Sequence, residues 1–409
     1  MGNKIKLPFI VILYRILILF YLCWGAHAWF TWWIGFLEKN EPLSVNIIVF
    51  LIAEMYRRKM SIPIINDKSI VSAILCLILG QVTGNPFGPL LIPNLLLRMY
   101  PIYILICDEK NSPAVLSFLV NTIAIILVPG LILHFYNQSV GLPPSIPSIY
   151  GDSLSYIFFN YGFMLQPIAD YESDSGRFFS IFIEPGYLGV LLAYLLYASK
   201  FDMRKKQTWI LLVGLFASFS LSGIMSAVIG YIFIKASKNM AIKKVVVFLL
   251  LLMPVYFVGL EYNGGDNKVN ELIIQRLQPD EEKGFSGNNR VGEQFDIYFE
   301  QMIEDGSILT GMGIDKANKL LSDDNGMIHG AGYKRYFVIN GLLSGLFFFL
   351  FYFFMGPGRP LQKNKRYLWG LYVMFIISFL PLGYPLSTTW LVGYALGYAN
   401  DTNINAIYK

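Results

Sequence analysis

The chain has 409 residues, of which 55% are hydrophobic and 16% aromatic, while only 14% are charged. A soluble domain carries about a quarter charged residues, so this composition excludes an ordinary soluble protein and points to a polytopic membrane protein. The net charge of +5 reflects the basic bias of cytoplasmic loops rather than affinity for nucleic acid. Cys23, Cys76 and Cys107 all lie in apolar segments without a CxxC pair, which argues against disulfides and thiolate metal sites.

In chain order, Lys4 and Lys6 precede an apolar stretch from Leu7 to about Ile34. That is too long for a signal-peptide core, so a cleavable signal is not expected. Apolar runs suited to spans of about 20 residues fall near 8–35, 69–86, 113–136, 183–199, 244–261, 337–355 and 367–398. Shorter runs near 44–56, 88–107, 208–220 and 222–236 complete the set. The last long run splits around Leu380 to Ser387, where Pro381, Gly383 and Pro385 interrupt it. The expected fold is an all-α polytopic membrane protein with about 12 transmembrane helices.

Basic clusters at Lys4/Lys6, Arg57-Arg58-Lys59, Lys200 to Lys206, Lys235 to Lys244 and Arg359 to Arg366 land on one side of such a body. That side is expected to be the cytoplasm and to hold both termini. Transmembrane helices are then expected in 1–136, 183–261 and 337–409, with long outer loops at 137–182 and 262–336. The second loop is rich in acid (Asp280-Glu281-Glu282, Glu300, Glu304-Asp305, Asp323-Asp324), which suits an outer position. The loops sit unequally along the chain and no internal repeat is visible, which counts against a two-half transporter.

The first loop opens with turn formers, Gly141-Leu-Pro-Pro-Ser-Ile-Pro-Ser, and continues through Tyr150, Tyr156, Phe158, Phe159 and Tyr161. These aromatics suit an interfacial belt or a sugar-stacking wall. The loop ends at Arg177-Phe-Phe-Ser-Ile-Phe-Ile-Glu184-Pro185-Gly-Tyr-Leu-Gly189, which places an Arg and a Glu where a membrane helix begins. Charge near hydrocarbon is costly and marks a pathway or a site, or else an ion pair that fixes helix entry. The residue before a proline avoids the helical region, so Glu184 is expected to end the loop and Pro185 to sit in the first helical turn. The Glu184 carboxylate would face the positive end of the helix dipole, with Arg177 able to fold back toward it.

In the second loop, Val269, Leu272, Ile273 and Leu277 mark a short amphipathic helix ended by Pro279. Val291, Phe295, Tyr298 and Met302 mark another, with Gly306 as its stop. Arg276 is carried by the first and Arg290 opens the second. Gly311-Met-Gly313, a short helix near 315–322 and Gly326-Met-Ile-His329-Gly-Ala-Gly-Tyr333-Lys334-Arg335 follow. The chain then re-enters the membrane near Phe337, and Gly341 and Gly345 are expected to allow close helix approach. Each charged residue also has a plain structural reading: Arg276 as a solvated charge, and Lys334-Arg335 as a membrane-edge anchor.

No HExxH, GxSxG, P-loop or metal-type carboxylate cluster appears. Guanidinium groups bind phosphate oxygens bidentately and stay charged at physiological pH. Several of them above a membrane cavity suit a lipid diphosphate. A histidine titrating near neutrality suits proton transfer from a sugar hydroxyl, and arginines stabilise a departing diphosphate without a metal.

Arg177…Phe182-Ile-Glu184-Pro185-Gly186, followed by Ser220-Leu-Ser222-Gly223, resembles the bacterial O-antigen polymerases of the Wzy type. The order Arg290…Gly311-Met-Gly313…His329…Gly341 matches the same family and, more loosely, the O-antigen ligases. Arg276 and Gly287 fit an arginine-spaced loop motif of that family, whereas Arg177 has no glycine at the same offset. The resemblance implies a GT-C-like inner-membrane glycosyltransferase with periplasmic loops. It would transfer a growing glycan from undecaprenyl diphosphate to the non-reducing end of a lipid-linked repeat unit. It implies no cofactor, metal or nucleotide sugar, lipid-linked oligosaccharides as donor and acceptor, and a chain-length regulator as a protein partner. Arg177 and Arg290 are then expected as diphosphate ligands, with Arg276 and Arg335 as further candidates. His329 would be the base or orient the acceptor hydroxyl; Glu184 would position Arg177 or be the base itself. An O-antigen ligase, sharing this donor, is the near rival. A flippase should carry ionisable residues deep in its spans, where only Arg15, Glu54 and Arg98 occur.

Overall fold

The computed structural model describes residues 8–32, 43–64, 68–84, 90–149, 157–168, 176–236, 260–267, 270–275, 279–280, 284–285, 293–314, 316–317, 332–359 and 365–401. The described residues are mostly helical. In chain order the helices are α1 (Phe9–Gly25), α2 (Trp29–Trp32), α3 (Leu43–Met60), α4 (Lys68–Gly84), α5 (Leu91–Cys107) and α6 (Ser112–Ser139). They continue with α7 (Pro185–Ala198), α8 (Lys206–Ala217), α9 (Leu221–Ala236), α10 (Glu293–Glu304), α11 (Gly332–Met355), α12 (Lys365–Leu382) and α13 (Thr388–Asp401). Strands β1 (Pro147–Ile149), β2 (Ile157–Asn160) and β3 (Leu165–Pro167) lie between α6 and α7. A second pair, β4 (Pro279–Asp280) and β5 (Gly284–Phe285), precedes α10.

The helices follow the apolar runs closely. The run at 367–398 divides as expected, with Gly383 in a left-handed conformation (φ 64°) between α12 and α13. Among the described residues, α6 and α11 are long and apolar enough to cross a membrane, and several other apolar helices are shorter. The run at 8–35 is interrupted: α1 stops at Gly25, and His27 turns the chain with φ 55°. The run at 244–261 lies almost wholly outside the described residues.

Two compact units are present, one formed by 1–65, 89–227 and 386–409, the other by 66–88 and 228–385. In the first unit α7 is buried on nearly every side, as expected for a helix apolar all round. Its start matches expectation: Glu184 is extended (φ −132°, ψ 127°) and Pro185 opens the helix. Gly189 packs on Ser220 and Gly223, so a side chain at either glycine would meet backbone or the Ser220 side chain. Around α13, the Thr388 and Thr389 hydroxyls donate to Tyr21 O and Leu22 O at 2.7 Å, and Ser387 Oγ donates to Gly25 O at 3.1 Å. These bonds add hydrogen-bond donors to carbonyls at the end of α1.

The first loop holds strands that its sequence pattern did not announce. β1, β2 and β3 form an antiparallel meander in which Phe158 faces Pro167 and Asn160 faces Leu165. Phe158 and Leu165 are buried with Phe179 and Ile183, and Trp29 packs against them. The strands are three or four residues long. That is too short for alternation to stand out within a run of aromatics.

In the second unit α4 packs on α11 through small residues: Gly80 lies against Phe348, Gly84 against Asn340 and Ser344, and Ser344 Oγ donates to Gly80 O at 2.6 Å. Gly341 does not serve close helix approach as expected. It breaks α11 (φ 83°, ψ 160°), and the Leu309–Gly311 backbone occupies the place where its side chain would be. The Met312 and Gly313 amides donate to Val338 O and Ile339 O at 2.8 and 3.0 Å, replacing the bonds lost at the break. Gly345 meets the Phe337 ring of its own helix rather than a neighbouring one. Of the expected helix near 269–277, the described residues Asn270–Ile274 form a wide helical turn. The second expected helix is α10, followed by a left-handed Gly306 (φ 78°).

Candidate functional site

Residues 178–183, which lead into α7, are buried and tied to three elements. Phe178 N–H donates to Ala217 O at the end of α8 (2.9 Å), and Ser180 O accepts from Leu165 N–H in β3 (2.8 Å). Ile181 O accepts from Trp29 N–H (2.8 Å), and Ile183 N–H donates to His27 O (3.1 Å). Ala28 and Phe182 also form an isolated antiparallel bridge. The turn after α1 thus acts as an extra strand beside the segment that carries Glu184. Trp29 Nε1–H adds a bond to Gly162 O at 2.9 Å, pinning the hairpin between β2 and β3.

This framework fixes Arg177 at the lip of a cleft. Its Nε–H donates to Ser218 O at 3.2 Å, and its side chain is half-buried. The cleft is partly open, and its cavity volume of about 20 Å³ is room for a water-sized group. Its polar lining comes from His134, Asn137 and Gln138 at the end of α6, Gln166 in β3, and Arg177. Among the described residues that line it there is no carboxylate. His134 is buried, with its ring 5.3 Å from that of Phe178. Asn137 Oδ1 accepts from Leu142 N–H at 2.9 Å, which turns its amide nitrogen away from that bond. Gln166 Oε1 is buried without a hydrogen-bond partner. Positive charge, amides and an unmet acceptor together suit a ligand carrying both anionic oxygens and hydroxyl or N–H donors.

Glu184 is half-buried at the start of α7 and makes no side-chain cap to the helix. Its charge reaches His27, whose ring stands 4.7 Å from that of Tyr187, one turn into α7. Burial lowers the His27 pKa below its ordinary value, and the Glu184 carboxylate acts in the opposite sense. Arg177 and Glu184 therefore belong to one buried junction, at opposite ends of the 178–183 segment.

Arg335 lies in the first turn of α11, half-buried, beside Lys334, whose Nζ stands 5.3 Å from the centroid of the Phe299 ring. Arg276, Arg290 and His329 lie outside the described residues. His134, Asn137, Gln138 and Gln166 were not singled out from sequence. The legible trace was the polar run His134…Asn137-Gln138-Ser139 closing an otherwise apolar helix. Of the ionisable residues within apolar runs, Glu54 is held by Arg57 and Arg58 at 2.7 and 2.6 Å, and Arg98 donates to Leu386 O at 3.3 Å. Comparison of the chain with protein-family models, with curated proteins and with solved structures gave no match.

Proposed function

We propose that the chain is a multi-pass glycosyltransferase of the bacterial inner membrane, acting as an O-antigen or related polysaccharide polymerase at the periplasmic face with both termini in the cytoplasm. The observation that carries this reading is the cleft that brings Arg177 together with the amide side chains of Asn137, Gln138 and Gln166 at the end of the long apolar helix α6. A diphosphate linked to sugar has the matching chemistry.

In the proposed reaction, the acceptor hydroxyl of a lipid-linked repeat unit attacks the anomeric carbon of the growing glycan. A carbon–oxygen bond to that hydroxyl forms as the bond to the diphosphate breaks. Undecaprenyl diphosphate leaves with the bonding pair, and the hydroxyl proton passes to Glu184 or His329. Arg177 and Arg290, with Arg276 and Arg335 as further contributors, offset the charge developing on the diphosphate. No metal or nucleotide sugar enters this scheme. A chain-length regulator is the expected protein partner.

The test is deletion of the gene followed by complementation with Arg177→Ala, Arg290→Ala or His329→Ala. Deletion should leave a single repeat on the lipid A core, and the variants should fail to restore long chains. Deletion that leaves no repeat on the core would instead identify a ligase, and full-length chains from all three variants would overturn the site. A flippase is disfavoured by the ion pairing that already engages Glu54.

A further inference from the structure

His134 and Asn137 share one face near the end of α6, at helical i, i+3 spacing, and both line the cleft with Arg177. Their placement is prepared one turn earlier in the helix. Gly130 lets α6 approach the first loop closely: a Cβ there would lie 2.7 Å from Phe163 O and 3.2 Å from the Phe178 ring. Phe178 is fixed in turn by its N–H bond to Ala217 O, and its fully buried ring stands 5.3 Å from that of His134. Asn137 is held through Oδ1, which accepts from Leu142 N–H at 2.9 Å, so its amide nitrogen is the group it can offer to a ligand. Arg177 is tied at Nε to Ser218 O, which sets the plane of its guanidinium at the lip. The Arg177 and Asn137 nitrogens can only donate, and the His134 ring carries at least one N–H. These donors border a cavity of about 20 Å³, the room of one oxygen atom. A water there would have to accept every bond. An anionic phosphate oxygen does so readily and gains from the guanidinium charge.

We propose that the cleft is a single-oxygen pocket for a phosphate group. One terminal phosphate oxygen enters it, and the rest of the ligand stays outside the open mouth. His134 and Asn137 donate to that oxygen while Arg177 offsets its charge, so the end of α6 supplies phosphate ligands beside the arginine of the first loop. The inference rests on the proposed function for reading the ligand as a lipid diphosphate; a free phosphate has the same pocket chemistry.

The experiment uses the full chain in phosphatidylcholine nanodiscs, titrated with inorganic diphosphate and, separately, with farnesyl diphosphate. The wild type should bind both, and the prenylated probe more tightly. Equal affinity would uphold the pocket and assign it to a soluble phosphate. His134→Phe keeps a ring against Phe178 and should weaken both probes about tenfold, the loss of one bond to a charged group. Asn137→Asp keeps the acceptor for Leu142 N–H but replaces the donor with negative charge, and should weaken them further. Amide protection across 157–167 checks that each variant keeps the fold. Wild-type affinity in both variants, or no binding of either probe by the wild type, overturns the inference. The proposed function fails separately. If gene deletion leaves long chains while diphosphate binding still depends on His134 and Asn137, the pocket stands and the polymerase reading falls.

Discussion

The segment before α7 and the start of α11 face the same task, joining a long polar loop to an apolar helix, and they use different parts for it. Before α7, residues 178–183 bury their side chains and take backbone partners from β3, from the end of α8 and from the turn after α1. The helix that follows is regular from Pro185 onward. At α11 the helix itself is broken at Gly341, and the loop's Met312 and Gly313 amides take over the bonds that the break leaves open. The first junction is held by apolar volume and the second by backbone fit. Packing of the first kind leaves polar side chains such as Arg177 and Gln166 available to line a cleft. Fit of the second kind leaves no room for a side chain at the break.

That contrast predicts opposite sensitivities. The largest effect is expected for Phe158→Ala, which opens the cluster with Leu165, Phe179 and Ile183. It should cost about 3–5 kcal/mol of local stability, read as faster amide hydrogen exchange across 157–167. Wild-type exchange there would mean that volume does not hold the first junction. Gly341→Ala should follow, at about 1–3 kcal/mol, because its conformation is nearly confined to glycine. The new methyl would also meet Leu309 O. Faster exchange at Met312 and Gly313 is the readout. An unchanged profile would show that α11 tolerates a side chain at the break, erasing the distinction.

The helices and the start of α7 were legible because apolar length and the Glu184-Pro185 pair are local signals. The division of 367–398 was legible for the same reason, from Pro381, Gly383 and Pro385. The interruption after Gly25 was not, since His27 sits in a left-handed turn explained by its own contacts with Ile183 and Tyr187 and by the bridge of Ala28 to Phe182. Gly341 gave a true signal that was assigned to the wrong partner: backbone does approach closely, but from a loop rather than a helix. Of the candidate site, Arg177 and Glu184 stood out as charges at an apolar edge. His134, Asn137 and Gln166 come together only through the sheet, whose strands are too short to read.

Two finer changes sharpen the picture of the first junction. Trp29→Phe keeps a ring against Phe158 and Leu165 but removes the Nε1–H bond to Gly162 O, for an expected loss of about 0.5–1.5 kcal/mol. The shortfall relative to Phe158→Ala, measured in the same exchange experiment, separates hydrogen bonding from volume. The smallest effect concerns His27. Its folded pKa is lowered by burial, with Glu184 opposing, so the unfolded chain takes up the proton first as pH falls. The stabilisation is complete above the ordinary histidine value of about 6.5 and is lost as pH drops through the folded value. Thermal unfolding between about pH 5 and 8 should therefore show a decline on the acid side that His27→Gln flattens. If both proteins trace the same curve, the imidazole's charge is not felt at the junction, and the His27 turn contributes only through its backbone bond to Ile183 and its ring contact with Tyr187.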